Sequence, residues 1–239
     1  DIARVAAQID ILSGGRFVLG LGAGWNEEEH VAYGIPFPST GERFARLEEM
    51  ITLIRTIWSP GKSNYSGKFY NISDVDCMPK PEQGRPPILI GGSGERHTLR
   101  LAAQYADEWH CGTNVSPQVY SHKDAILKRH CEAIGRDPNT IGRSISVFAI
   151  MGSSVSDLDR STREVMEIFP SRKQRTLEEY RQRVKAAGMI VGRTEDVIDQ
   201  LGRLAELGIQ EVQFQHLDFN SDDMPEYLAS EVAPLLERL

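Results

Sequence analysis

The stretch Arg16-Phe17-Val18-Leu19-Gly20-Leu21-Gly22-Ala23-Gly24-Trp25 decides how the chain is read. Its opening, Arg16 to Gly22, is a short apolar run bounded by glycines, the pattern of a strand buried on both faces of a parallel sheet. Upstream, Ile2, Val5, Ile9 and Leu12 recur at helical spacing, and Ser13-Gly14-Gly15 supplies the left-handed backbone that ends a helix. Downstream, Pro36 and Pro38 mark a loop, and the next helix carries Phe44, Leu47, Ile51, Ile54 and Trp58 on one stripe.

The same alternation recurs. Pro87 to Ile90 is a second strand, Gly91-Gly92-Ser93-Gly94 its turn, and Leu99, Leu101, Ala102 and Tyr105 belong to the following helix. Glu108 to Cys111 is a third strand, a helix spans Val119 to Ile134, and Ser144 to Met151 is a fourth strand. A longer polar helical segment intervenes. Thr194 then caps a helix with Glu195 and Asp196 in its first turn and Val197, Leu201, Leu204 and Leu207 on its stripe. Glu211 to Gln215 is the fifth strand. Strands separated by helical crossovers pair in parallel, so the class is α/β. Residues 60–86 lose the helical period, and Tyr65-Ser66-Gly67-Lys68-Phe69-Tyr70 reads as a surface hairpin.

The expected architecture is a (β/α)8 TIM barrel forming one domain over residues 1–239, with a hairpin-like insertion near 60–86 and a helical one near 152–190. At roughly 30 residues per unit, about three strands of such a barrel are absent, and the chain opens inside a helix without a methionine, which predicts truncation at the N-terminus.

With 27 Lys+Arg against 34 Asp+Glu, the formal charge of -7 offers no general attraction to a phosphate backbone, which argues against nucleic acid as a partner. No run approaches the roughly 20 apolar residues of a membrane helix, and there is no signal-peptide pattern. Cys77, Cys111 and Cys131 form neither a metal pair nor a CxxC motif, and the reading is a cytoplasmic protein without a metal.

Ligands of parallel α/β folds gather beyond the C-terminal ends of the strands. Two turns there are rich in glycine: Gly22-Ala23-Gly24 and Gly91-Gly92-Ser93-Gly94, the second leading toward a helix whose N-terminus suits phosphate. Each alone is what any tight turn needs; together they favour a phosphorylated planar cofactor. A Rossmann site requires GxGxxG opening directly into a helix, and Pro36 and Pro38 stand in the way. Trp25 either stacks on the ring system or packs beneath its loop. Glu28, between Glu27 and Glu29, is either a general acid or part of a solvated first helical turn. His110 and His216, at strand ends, are candidate proton carriers, against a purely structural role. Arg172, Lys173 and Arg175 form either an anion-attracting group or an exposed basic face. His30, His97, His122 and His130 have no metal-ligand spacing.

Three segments, GGRFVLGLGAGWNEEEHVAYGIPFPSTGERFARLEEMITLIRTIW, PPILIGGSGERHTLRLAAQYADEW and VGRTEDVIDQLGRLAELGIQEVQFQ, resemble successive parts of the luciferase-like monooxygenase superfamily in its coenzyme F420-dependent branch. The likeness covers nearly the whole chain and is weakest between Gly152 and Ala187. It implies a barrel of the bacterial luciferase-like type, and it assigns Gly22, Ala23, Gly24, Gly91, Gly92, Ser93 and Gly94 to the cofactor. A catalytic carboxylic acid of the glucose-6-phosphate dehydrogenase branch falls on Trp25 here, and a cofactor-binding amide falls on Glu28, so neither role carries over. Three readings stay open: hydride transfer between coenzyme F420 and a small organic substrate, an FMN-dependent monooxygenase using dioxygen, and a truncated barrel that only binds. The resemblance also admits a homodimer.

Overall fold

Parallel pairing of β1 (Leu19–Leu21) with β4 (Ile88–Gly91) is visible in the computed structural model, which describes residues 1–170, 176–217 and 221–236. The chain divides into two compact units, Asp1–Trp109 with Ile126–Ile141, and His110–Ala125 with Gly142–Leu239. In chain order the first unit holds α1 (Ile2–Leu12), β1, α2 (Glu27–Ala32), α3 (Thr40–Trp58), β2 (Ser63–Ser66), β3 (Asn71–Val75), β4 and α4 (Thr98–Tyr105). β5 (Glu108–Thr113) begins in it and continues into the second unit, and α5 (Pro117–Ala133) runs the other way.

Within the first unit the strand order is β1-β4-β5. Ile88, Ile90 and Trp109 are buried, and Leu99, Leu101 and Ala102 of α4 close over β4. The spacing of Ile2, Val5, Ile9 and Leu12 correctly marks α1 as a helix, yet those four side chains are exposed. The buried face is instead Ala3, Ala6, Ala7 and Asp10. Small residues let α1 lie close to α3, where the indole N–H of Trp58 donates to the Ala3 carbonyl at 2.9 Å. Asp10 is held in the interior by the backbone and side-chain N–H groups of Gln83, at 3.0 and 2.6 Å. β2 and β3 pair as an antiparallel ribbon, and the Glu49 carboxylate of α3 accepts the backbone N–H groups of Phe69 and Tyr70 between them.

The second unit has strand order β5-β6-β9, with β6 (Gly142–Val147) and β9 (Glu211–Phe214) parallel, and a separate parallel pair, β7 (Ala149–Met151) with β8 (Ile190–Gly192). Its helices are α6 (Val155–Ile168), α7 (Leu177–Ala186), α8 (Thr194–Glu206), α9 (Asp223–Tyr227) and α10 (Ala233–Leu236), with a π-helical turn at Leu228–Val232. The single strand expected over Ser144–Met151 is two strands. It breaks at Phe148, whose N–H is taken by Asn114 Oδ1 at 2.8 Å instead of by a neighbouring strand. The polar segment before Thr194 conceals β8, three residues too few to show a period. Thr194 is the first residue of α8 rather than its cap: Asp196 accepts the Arg193 N–H, and the Thr194 hydroxyl meets the Tyr227 hydroxyl at 2.9 Å. Ile150, Val165, Tyr180, Val184, Met189 and Val191 form the core of this unit.

Two features fix the stability of the second unit. Gly188 has φ +94, and a Cβ added there would lie 2.4 Å from the Asn114 carbonyl oxygen, on the residue that bridges the break at Phe148. Gly188→Ala is expected to cost about 2–4 kcal/mol; an unchanged urea midpoint would contradict this. Asp124 and Arg143 form a buried ion pair at 3.1 Å. Asp124→Ala leaves the guanidinium charge in the interior and should lower stability by about 3–5 kcal/mol, measurable as a fall in Tm.

Candidate functional site

Because β1 and β4 are parallel neighbours in the register Leu21↔Ile90, the next residues, Gly22 and Gly91, leave the same end of the sheet side by side. Neighbouring strands lie about 4.8 Å apart, so the two glycine turns are adjacent and not on opposite rims. A Cβ added at Gly22 or at Gly91 would meet no atom within 4 Å. The space above both is therefore open to a flat molecule lying against backbone.

Local packing holds both turns. Gly24 has φ +74, and a side chain there would run into the His30 ring at 3.1–3.2 Å. Gly92 has φ +118, and its carbonyl accepts the indole N–H of fully buried Trp109 at 2.8 Å. Gly94 packs on Thr98, and the Leu99 N–H donates to its carbonyl. Ser93 is half-buried between them. Three residues, Glu95 to His97, intervene before α4, so the second turn does not lead straight into that helix as its sequence suggests.

Trp25 is 85% exposed, which removes the reading that it packs beneath its loop. Glu27, Glu28 and Glu29 are exposed in the first turn of α2, whose N-cap is the Asn26 side chain. Their charges complement the positive helix end.

A cavity of about 320 Å3 opens beside the first turn, lined among others by Gly22, Ala23, His30, Arg43, Arg46 and Tyr70. Arg46 is paired with Glu42 at 2.7 Å. Arg43 lies 3.9 Å over the Phe37 ring and donates to the Pro38 carbonyl; its Nε is buried with no partner among the described residues. His30 donates through Nδ1 to the Asn26 carbonyl at 2.7 Å and meets Phe37 edge-on at 4.8 Å. Metal-ligand spacing does not distinguish His30, and no motif in the sequence marks Arg43 or Trp109. His30 has a signal in its nearness to the first glycine turn and Trp109 in its place on β5 beside β4, whereas Arg43, in α3, has none.

In the second unit, His110 is bound at both ring nitrogens, to Ser144 Oγ at 3.0 Å and Ser146 Oγ at 3.2 Å. Burial holds its pKa below the ordinary histidine value, against an opposing pull from Glu211. His216 donates through Nε2 to the Ser221 carbonyl at 2.6 Å and lines a cavity of about 360 Å3 with Met151, Arg160, Asp223 and Tyr227. Arg172, Lys173 and Arg175 lie outside the described residues. Among the described residues no cluster of His, Cys, Asp or Glu has metal-binding geometry, and no helix is long and apolar enough to cross a membrane.

Known proteins resemble this chain in sequence and in fold. The chain is 35% identical over 148 residues to an F420-dependent glucose-6-phosphate dehydrogenase of Kineococcus radiotolerans, a match covering 61% of this chain and 43% of that protein. It is 32% identical over 166 residues to pyrimidine monooxygenase RutA of Escherichia coli, covering 67% and 48% respectively. The matches thus span less than half the length of these relatives. EDTA monooxygenase from Chelativorans sp. BNC1 superposes with a TM-score of 0.79 at 17% identity, over 99% of this chain and 70% of that one, a likeness of fold alone. The family model for luciferase-like monooxygenases matches residues 1–211, and the chain belongs to that family.

Proposed function

We propose that the paired glycine turns hold a phosphorylated deazaflavin, coenzyme F420, and that the protein is an oxidoreductase acting on a small organic molecule. The observation that carries this reading is the register of β1 against β4, which sets two side-chain-free positions, Gly22 and Gly91, next to each other over open space. Similarity to F420-dependent glucose-6-phosphate dehydrogenases supports the choice of cofactor. The parallel strands are read as part of a (β/α)8 barrel of the luciferase-like type, a reading supported by the structural neighbours.

When bound, a deazaflavin supplies the carbon that accepts or gives hydride. The residues of this chain bind and orient it. Gly22 and Gly91 admit the ring to the backbone, and Ala23, Gly24, Gly92, Ser93 and Gly94 complete the two turns that hold it and the first part of its tail. Arg43, which lines the cavity, offers its charge to an anionic group. The exposed indole of Trp25 follows the first turn directly and is free to cover a ring face. His110 is engaged at both nitrogens by serine hydroxyls, which argues for a positioning role rather than for a proton carrier. His216 is held through Nε2 by the Ser221 carbonyl.

A second reading, an FMN-dependent monooxygenase using dioxygen, is favoured by the similarity to pyrimidine monooxygenase. Both readings require catalysis, and the enzymes among the relatives argue against a protein that only binds.

Fluorescence titration of the folded protein with coenzyme F420 and with FMN separates them. Preference for F420 is expected; clear preference for FMN would replace the first reading by the second. Gly22→Val fills the open space without backbone strain, since Gly22 is not in the left-handed region. It should weaken cofactor binding about tenfold or more, equivalent to about 1.4 kcal/mol, while leaving Tm nearly unchanged.

A further inference from the structure

In residues 24–36, around α2, every side chain is exposed except those of Asn26 and His30. Trp25, Val31, Tyr33 and Ile35 all face solvent, and α2 buries no residue at all. His30 is therefore the one side chain of α2 that turns inward, resting on Phe37 and filling the space that Gly24 leaves by lacking a Cβ.

Its two nitrogens have different surroundings. Nδ1 lies 2.7 Å from the Asn26 carbonyl, which can only accept, so Nδ1 carries a proton. In the neutral ring Nε2 is then a lone-pair acceptor. Nε2 has no partner among the described residues, stands 3.2 Å from where a Gly24 Cβ would be, and belongs to a ring lining the cavity beside Gly22 and Ala23. The cavity wall also carries Arg43, Tyr70 and the Glu42 carboxylate, which is taken up by Arg46. An acceptor in such a wall is the group that selects for a donor on the ligand.

We infer that His30 is a ligand-contacting residue of this site, accepting through Nε2 a hydrogen bond from an N–H or O–H of the bound cofactor. This rests on reading the cavity as part of a deazaflavin or flavin site. It adds an acceptor carried by a side chain to the backbone groups that the glycine turns present. The same contact makes α2, otherwise unburied, part of the wall against which the cofactor lies.

Asparagine and glutamine separate the two nitrogens of a histidine, the asparagine amide standing near Nδ1 and the glutamine amide near Nε2. Binding of coenzyme F420 and of FMN would be measured for the wild type, His30→Asn and His30→Gln, using whichever cofactor the wild type binds. His30→Asn retains a donor for the Asn26 carbonyl but withdraws from the cavity, and should bind about five- to tenfold more weakly, as loss of one hydrogen bond implies. His30→Gln keeps an acceptor near the Nε2 position and should stay within about threefold. In wild-type protein labelled with 15N at histidine, the Nε2 signal of His30 should move on cofactor addition while Nδ1 stays.

Wild-type affinity in His30→Asn would overturn the inference. So would equal losses in both variants with an unmoved Nε2 signal, which would make His30 only the pin of α2. If neither cofactor binds the wild type, the reading of the cavity itself fails and the inference falls with it.

Discussion

The hydrogen-bonded register that matches Leu21 with Ile90 is the constraint on which the site depends. Two parallel strands in any other register, or separated by a third, would send Gly22 and Gly91 to different places. Here the backbone amides of one strand fix the height of the next, and the glycines inherit that height. Nothing about either turn alone has this consequence, because a glycine-rich bend serves equally well to change direction. It is the pairing that converts two ordinary bends into one surface, and the pairing is secured from below by Ile88, Ile90 and Trp109 in the core of the first unit. Trp109 takes part twice, filling the interior with its ring and tying the Gly92 carbonyl with its N–H.

Elements with strong local signals were legible. Leu19–Leu21 falls inside its apolar run and Ile88–Gly91 overlaps Pro87–Ile90, although only Leu19 of β1 is buried where burial on both faces is expected, and α3 buries Leu47, Ile51, Ile54 and Trp58 as its period requires. The errors came where tertiary contacts overrule local pattern. The larger apolar residues of α1 outrank its alanines on any hydrophobicity scale, yet the alanine face is the buried one, because close approach to α3 needs small side chains and returns the Trp58 hydrogen bond. The continuous run Ser144–Met151 looks like one strand, and only the distant Asn114 amide, taking the Phe148 N–H, shows why it becomes two. β8 is too short for periodicity to reveal it.

The site was partly legible for the same reasons. Glycines at strand ends can be seen without a structure. That Gly22 and Gly91 face open space, while Gly24, Gly92 and Gly94 are pressed against His30 and Thr98, cannot. The five thus divide into those whose missing side chain leaves room for a ligand and those whose missing side chain leaves room for the protein. Histidines at strand ends drew attention because fold geometry aims them at ligands, and one of them, His110, proves to be bound at both nitrogens. His30 was passed over because a search for metal ligands asks about spacing, whereas what distinguishes it is a tautomer fixed by a single backbone carbonyl.

The contrast between α4 and α2 links this division to stability. α4 buries Thr98, Leu99, Leu101, Ala102 and Ala103, and the turn before it is correspondingly fixed. α2 buries nothing, and its capping by Asn26 and its acidic first turn supply only local stabilisation. Segments with few buried contacts open at low free-energy cost. The turn before α4 is therefore well packed and the one before α2 is held by few contacts, which suits entry of a ligand at the proposed site. His30 sits where those requirements meet, since the packing that pins α2 against Phe37 also leaves its second nitrogen beside the cavity. A stronger apolar anchor at that position would hold the helix better and would remove from the cavity wall an acceptor that no other side chain among the described residues takes up.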